Sequence, residues 1–385
     1  MDRRAATPLN SLREPYRGPV LRDHLQEIAL ELGCAGLGVT TADPFDGLAA
    51  VMERRREEGL ASSLAFTYRD PAVASDVRRS FSWAERLVTV AYAYQPVAGT
   101  AASSAGSMRI ARFADGDAYV GLRAALDAIA ARLENDGHRV AILADDSRLV
   151  DRAAAVRAGI GWWGKSSMVL IPGVGPWVLI GSVATDAPLD LDKPMSRTCG
   201  SCVACVPACP TNAIVADGVI DARRCLAHLL QAPGVIPVDF REAVGDRLYG
   251  CDDCLTACPP GSRILADARS VTGPTVIEIL GASERDLLDA YGHFYLPSRR
   301  PRILRRNALI AAGNDRSEQL GPIVIGYLGH PDWLLRVHAA WAVGEFDTGS
   351  SRAAIDLALE NEPDERVRSE LSESKERRRL DPGLR

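Results

Sequence analysis

"CGSCVACVPACP", residues 199–210, places Cys199, Cys202, Cys205 and Cys209 in the spacing CxxCxxCxxxCP. Three thiolates two residues apart line a turn tight enough to reach three irons of one cubane, while the fourth ligand has to arrive from elsewhere in the chain. A second run, "CDDCLTACP" at 251–259, supplies Cys251, Cys254 and Cys258, and Cys225 lies between the two. In two-cluster ferredoxins the cysteine before the proline crosses to the other cluster. On that rule one [4Fe-4S] cluster takes Cys199, Cys202, Cys205 and Cys258, and the other takes Cys209, Cys225, Cys251 and Cys254. Zinc sites require neither a third CxxC step nor the following proline, so the spacing predicts two iron–sulfur clusters. The ninth cysteine, Cys34, stands alone at the end of a helical stretch and reads as a buried structural thiol.

Two clusters move single electrons, and a ferredoxin alone would need about a fifth of the 385 residues. The remainder must hold a partner cofactor or a substrate. Upstream, "VLRDHLQEIALELG" (20–33) spaces Leu21, Leu25, Ile28 and Leu32 by four and three, and "YVGLRAALDAIAARL" (119–133) repeats the pattern with Leu122, Leu126, Ile129 and Leu133. These are amphipathic helices. "RLVTVAYAY" (86–94) and "HRVAILADD" (138–146) read as strands. The predicted architecture is therefore an α/β (α+β) domain over 1–194, followed by a two-cluster ferredoxin-like domain over 195–262. Asp145 and Asp146 close the second strand, and open α/β sheets bind ligands at the carboxyl ends of their strands. Asp145 is the candidate site carboxylate; Asp146 is expected to be a turn aspartate or a helix cap.

The stretch "GIGWWGKS" (159–166) fits both GxxxxGK[ST] and GxGxxG. Either motif works only where a strand runs into the glycines and a helix leaves them with free N–H groups aimed at phosphate. Here the order is reversed. "RLVDRAAAVRAG" (148–159) reads as a helix ending at Gly159, and "SMVLIPGVGPWVLIGSV" (167–183) as two strands joined by a Pro/Gly turn. A nucleotide site is not expected.

Beyond about residue 263 the chain turns helical. "LRRNALIAAGN", "LRVHAAWAVGE" and "VRSEL" begin at Leu304, Leu335 and Val367, a repeat that suits stacked HEAT-type helix pairs, the polar third copy acting as a cap. The pattern predicts an all-α repeat domain over 263–385. The net charge of −5 gives no general attraction to nucleic acid, yet "SRRPRILRR" (298–306) gathers Arg299, Arg300, Arg302, Arg305 and Arg306. That run reads either as a solvated helix start or as a phosphate-contacting patch. No apolar run approaches the ~18 residues of a membrane span, and the N-terminal residues lack the apolar stretch of a signal peptide. A cytoplasmic protein without disulfides is expected, acting as a monomer.

Several stretches together resemble the epoxyqueuosine reductases, cobalamin-dependent iron–sulfur enzymes that complete queuosine in tRNA. They are "DDSRLVDRAAAVRAGIGWWGKSSMVLI", "CGSCVACVPACPTNAI", "DARRCLAHLL", "YGCDDCLTACP", "RRNALIAAGN" and "LRVHAAWAVGEF". The resemblance covers nearly the whole chain. It implies that residues 1–194 bind cobalamin, that the glycine–lysine corner is a corrinoid-site loop, and that Asp145 is the proton donor. It also implies that Arg69, Lys165, Ser166, Met168, Val169 and Leu170 neighbour the cobalamin, that the clusters pass electrons to it from an unidentified donor, and that the arginine run and helical repeats grip tRNA carrying epoxyqueuosine. Two positions depart from the family pattern: Val120 stands where histidine is expected after Tyr119, and Arg148 where proline is common. Two rival readings remain at this level. One is another cobalamin-dependent reductase, of the reductive dehalogenase kind, acting on a small molecule. The other is an electron-transfer adaptor whose repeats bind a protein.

Overall fold

The computed structural model describes residues 19–94, 106–265 and 273–380. Four strands form the central sheet in the order Cys34–Thr41, Arg86–Ala93, Val178–Thr185, Val140–Ala144, and every neighbouring pair is antiparallel. The alternation of a strand sorts side chains to two faces. Val88 and Val90 meet Leu37, Val39 and Val183 beneath the helices Pro19–Glu31 and Ala118–Asn135, whose Leu21, Leu25, Leu122, Leu126, Ile129 and Leu133 fill that core. Leu87, one residue before Val88, packs on the other face with Leu143, Ala184 and Ala154 of the helix Asp151–Arg157. Cys34 is buried in the first of these cores, and burial pushes its thiol up to about 12.

The antiparallel order corrects one expectation. In a parallel sheet all carboxyl ends share one edge, which is why ligands collect there; here the ends alternate, so that rule does not single out Asp145. Strand order depends on pairings between segments some 90 residues apart, such as Thr89 with Ser182, and periodicity within each segment does not encode it.

The cysteine region carries little regular structure of its own. It is tied to the sheet region by a short parallel pairing of Arg247–Tyr249 with Arg109–Ile110. Its inner surface, through Leu226, Leu230, Leu248 and Tyr249, shares one continuous core with the C-terminal helices. There Arg302–Asp315, Trp333–Glu345 and Glu365–Leu380 stack in succession, with Leu304, Leu309, Val337, Ala340, Val367 and Leu371 between them. No helix among the described residues is long and apolar enough to cross a membrane.

Candidate functional site

The strand Val140–Ala144 delivers Asp145 at its end, with φ at +52°. Aspartate is one of the few residues that adopts this left-handed conformation readily. Asp146 follows in a different state. It accepts from the backbone N–H of Arg148 at 2.9 Å, from Arg148 Nε at 2.9 Å and from Nη2 at 2.5 Å. The Arg148 guanidinium in turn lies 4.8 Å from the centre of the Phe81 ring. Asp146 therefore closes a turn and does not cap a helix; the next helix starts at Asp151 with Val150 before it and no side-chain cap.

Electrostatics divide the pair. Burial pushes the Asp145 carboxyl above its ordinary range; Arg123 opposes this and the negative Asp146 adds to it. Arg148 holds Asp146 below the usual carboxylate range, chiefly through its side-chain hydrogen bonds. Arg123 reaches Asp145 from the helix Ala118–Asn135, one turn beyond Tyr119, and its guanidinium stands 5.9 Å from the Tyr119 ring centre. Burial pushes the Tyr119 phenol up, with Asp145, Asp151 and Arg152 as its charged neighbours.

Asp151 and Arg152 extend this group. Asp151 is driven well above the ordinary carboxylate range by burial, and its Oδ1 has no hydrogen-bond partner. Burial pulls the Arg152 guanidinium down, with Asp151, Tyr119, Cys225 and Tyr68 around it. Solvent nonetheless reaches Arg152, which is exposed. Arg152 is thus the shared neighbour of groups from separate segments, Tyr68, Tyr119 and Cys225. Tyr249 also has Asp145 as a charged neighbour.

Cys225 links this group to the thiols. The structure gathers the eight cysteines into two sets: Cys205 has Cys258, Cys199 and Cys202 for neighbours, and Cys254 has Cys251, Cys225 and Cys209. Among the described residues no group of three or more His, Cys, Asp or Glu is arranged to hold a single metal ion. Four thiols around a multi-iron cube need not converge on one atom. Cys202 of the first set is exposed to solvent. The second set is braced from both sides, since Asp252 accepts from the backbone N–H of Arg112 at 2.7 Å and pairs with its guanidinium at 3.2 Å, while Asp253 pairs with Arg247. A cavity of about 760 Å³ lies beside Cys251, but Arg109, Arg112 and Arg247 on its wall are already paired with Asp246, Asp252 and Asp253, and none of the groups around Asp145 lines it.

The glycine corner has a structural explanation. A Cβ on Gly159, which has φ +72°, would stand 2.2 Å from the Lys193 carbonyl oxygen, and one on Gly161 would stand 2.6 Å from that of Leu170. The glycines let the chain's own backbone close in. Lys165 pairs with Asp217 at 3.2 Å and is not presented to a phosphate. Ser166, Val169 and Leu170 are buried, with Val169 in the core against Ile160 and Val178, and Met168 packs near Trp177 and Leu255. Their side chains belong to the protein interior, so a ligand at this corner would meet backbone. The indole N–H of Trp162 in the same corner is buried without a partner. Arg69 is exposed on a turn, next to the Tyr68 that neighbours Arg152.

The arginine run separates into three kinds. Arg299 and Arg300 are exposed. Arg302 pairs with Asp332 at 2.9 Å. Arg305 is buried and donates to the Ala282 carbonyl at 2.8 Å. Arg306 is 1% exposed and gives its guanidinium to the carbonyls of Leu229, Leu230, Ala232 and Gly234 and to Asn307. Arg305 and Arg306 are thus corrected from nucleic-acid contacts to structural residues: once the helix packs, one face of the run is inside. Sequence reasoning does not single out Asp151, Arg152, Arg123, Tyr68 or Tyr249. Only the i, i+4 spacing of Tyr119 and Arg123 offers a local signal.

Comparison with known proteins adds a second line of observation. Residues 198–261 match the family described as 4Fe-4S double cluster binding domain, and residues 296–374 match HEAT repeats. The epoxyqueuosine reductase of Staphylococcus aureus is 30% identical over 93% of this chain and 97% of its own. A crystal structure of an epoxyqueuosine reductase with an epoxyqueuosine-modified tRNA-Tyr stem loop superposes with a TM-score of 0.85 at 30% identity, covering 93% of this chain and 98% of that one. A Bacillus subtilis epoxyqueuosine reductase structure, described as having its aspartate catalytic loop swung out of the active site, matches with the same score, identity and coverage.

Proposed function

The chain belongs to the epoxyqueuosine reductase family, oxidoreductases acting on tRNA, and from that premise we propose that it reduces epoxyqueuosine to queuosine at the tRNA wobble position with Asp145 as proton donor. Membership sets aside both the adaptor and the dehalogenase-like reading. Converting the epoxide to an alkene and water takes two electrons and two protons. The observation that carries the proposal is that a carboxyl raised by burial and a thiol of the second set belong to one group of neighbouring side chains, joined through Tyr119 and Arg152.

The donor sets suit the cofactors. Eight thiols in two all-sulfur groups of four fit two [4Fe-4S] clusters, with Cys199, Cys202, Cys205 and Cys258 on one and Cys209, Cys225, Cys251 and Cys254 on the other. Tyr68, Tyr119, Arg152 and Asp151, the last with an orphaned carboxylate oxygen, are polar groups that suit a large polar cofactor, and cobalamin would be held by them, with Arg69 and the backbone of 165–170 as further neighbours. When bound, the clusters supply single electrons and cobalamin the low-potential centre at which the epoxide is reduced. The protein supplies the rest. Asp145 delivers its proton to the oxygen as the carbon–oxygen bond opens, so that no free alkoxide has to form. Arg123 faces the carboxylate left behind and stabilises it until it is reprotonated. Tyr119 and Tyr249 are the phenols that neighbour this carboxyl. Arg299 and Arg300 offer exposed charge to the tRNA backbone. The reaction would take place in the cytoplasm, with its tRNA substrate.

Mass analysis of tRNA from cells lacking the gene tests the reading. Epoxyqueuosine should accumulate at the expense of queuosine; unchanged queuosine would overturn it.

A further inference from the structure

Tyrosine joins an apolar ring to a polar tip and is enriched where a protein surface meets a partner. Tyr295 is 68% exposed. Its backbone is nonetheless held hard: its N–H donates to the Tyr249 hydroxyl at 2.9 Å, and that hydroxyl faces the Tyr295 carbonyl oxygen at 3.3 Å. Phe294, just before it, stacks on the Tyr249 ring with centroids 4.1 Å apart. His293 Nε2 donates to the Ala114 carbonyl at 3.1 Å. Residues 293–295 are thus clamped between the wall of the site, through Tyr249, and the loop that leads to Tyr119.

Beyond Tyr295 the backbone bends sharply. Ser298 and Arg299 both take left-handed φ values, +55° and +51°, and Arg299 and Arg300 are left exposed a few residues from the ring. Val120, adjacent to Tyr119 on the helix Ala118–Asn135, is 63% exposed. Beside Tyr249, which has Asp145 as a charged neighbour, the surface therefore carries an exposed ring on a fixed backbone, with two exposed cations a few residues beyond it. This is the composition of a single-strand nucleic-acid platform, in which aromatic faces take unstacked bases and neighbouring arginines take the phosphates. A ring carried on a backbone fixed in advance leaves less to be ordered when a base settles on it.

We propose that Tyr295 is the stacking platform for an anticodon-loop base next to the modified one, so that the wobble nucleotide is held out toward Asp145. The proposal rests on the tRNA reading above and assigns a binding residue within it. The Tyr295 hydroxyl is not needed for this role; the ring face is.

The test uses the full-length protein and an anticodon stem-loop RNA carrying 2-aminopurine on either side of the wobble position. With wild-type protein, one of the two probes should change its fluorescence on binding, reporting a base that stacks on protein. Tyr295→Ala should abolish that change and weaken binding roughly 5- to 150-fold, the loss that removing one base–aromatic stack produces. Its salt dependence should match wild type, because no phosphate contact is lost. Tyr295→Phe should restore both signal and affinity. Because the ring is exposed and the clamp uses Tyr295 backbone atoms, the alanine variant should keep its iron content and melting temperature. Wild-type affinity in Tyr295→Ala, or a Phe variant as weak as Ala, overturns the stacking role. Failure of the wild-type protein to bind the stem loop at all would instead overturn the tRNA reading on which it rests.

Discussion

Arg148 clamps Asp146 with two side-chain nitrogens and its own backbone N–H, while Asp145, the preceding residue, is left to burial and to Arg123. The two adjacent carboxyls are thereby pushed in opposite directions, and of the pair only Asp145 is moved toward holding its proton. Asp145→Asn keeps the size of the side chain and removes the proton. It should retain both clusters and cobalamin while losing roughly 10²–10⁴-fold in single-turnover reduction of an epoxyqueuosine-bearing stem loop. Asp146→Asn should lose far less. A collapse in the second variant with near-normal rates in the first would reverse the assignment.

The legible and illegible parts of this protein differ by range. Cysteine spacing is a local rule dictated by cluster size, and the iron–sulfur reading needs nothing beyond residues 199–259. The helices Pro19–Glu31 and Ala118–Asn135 are legible for the same reason, since their leucine spacing encodes the buried stripe. Arg306 is not. Its partners are carbonyls of 229–234, more than seventy residues away, and nothing in an arginine-rich run tells which side chains will face the core. The ring of Asp151, Arg152, Tyr68 and Tyr249 is hidden from the sequence likewise, because separate segments contribute to it.

The crossing of the cysteines has a direct consequence for metal content. Cys258 lies with the first set although it follows the second run in sequence. Cys258→Ser should therefore disturb the cluster of Cys199, Cys202 and Cys205 and spare the other. Anaerobically purified wild type should hold about eight irons and the variant about four. Iron analysis with electron paramagnetic resonance of the reduced protein decides it. Loss of signals belonging to the second set, or stoichiometric zinc in wild type, would contradict the arrangement.

Within one arginine run, stability and binding should separate. Arg306→Met removes the donor for four backbone carbonyls and should cost at least about 1.5–3 kcal/mol, the scale of a hydrogen bond to a charged group, read as a lower denaturation midpoint. Burial already pulls that guanidinium down to about 9, a measure of how far it is removed from water. Arg299→Ala with Arg300→Ala should leave the midpoint alone, weaken stem-loop binding and flatten its salt dependence. Equal destabilisation by both substitutions would erase the distinction.

With Asp145 as the proposed donor, its neighbours should set the pH dependence of turnover. Its carboxyl is raised by burial, so the protonated, donating form prevails at low pH and is lost as pH rises through the raised value. Single-turnover rates should accordingly fall on the alkaline side. Arg123 favours the carboxylate, and Arg123→Gln should shift the falling limb to higher pH. Asp146 disfavours it, and Asp146→Asn removes that charge while freeing the Arg148 cation, so the limb should shift to lower pH. The opposed shifts identify the group. Asp151 is also raised by burial and also has Asp146 as a neighbour, but Arg123 is not among the charges acting on it. A limb that moves with Asp146→Asn and ignores Arg123→Gln would therefore belong to Asp151, and the proton donor would have to be sought at the start of the next helix along the chain.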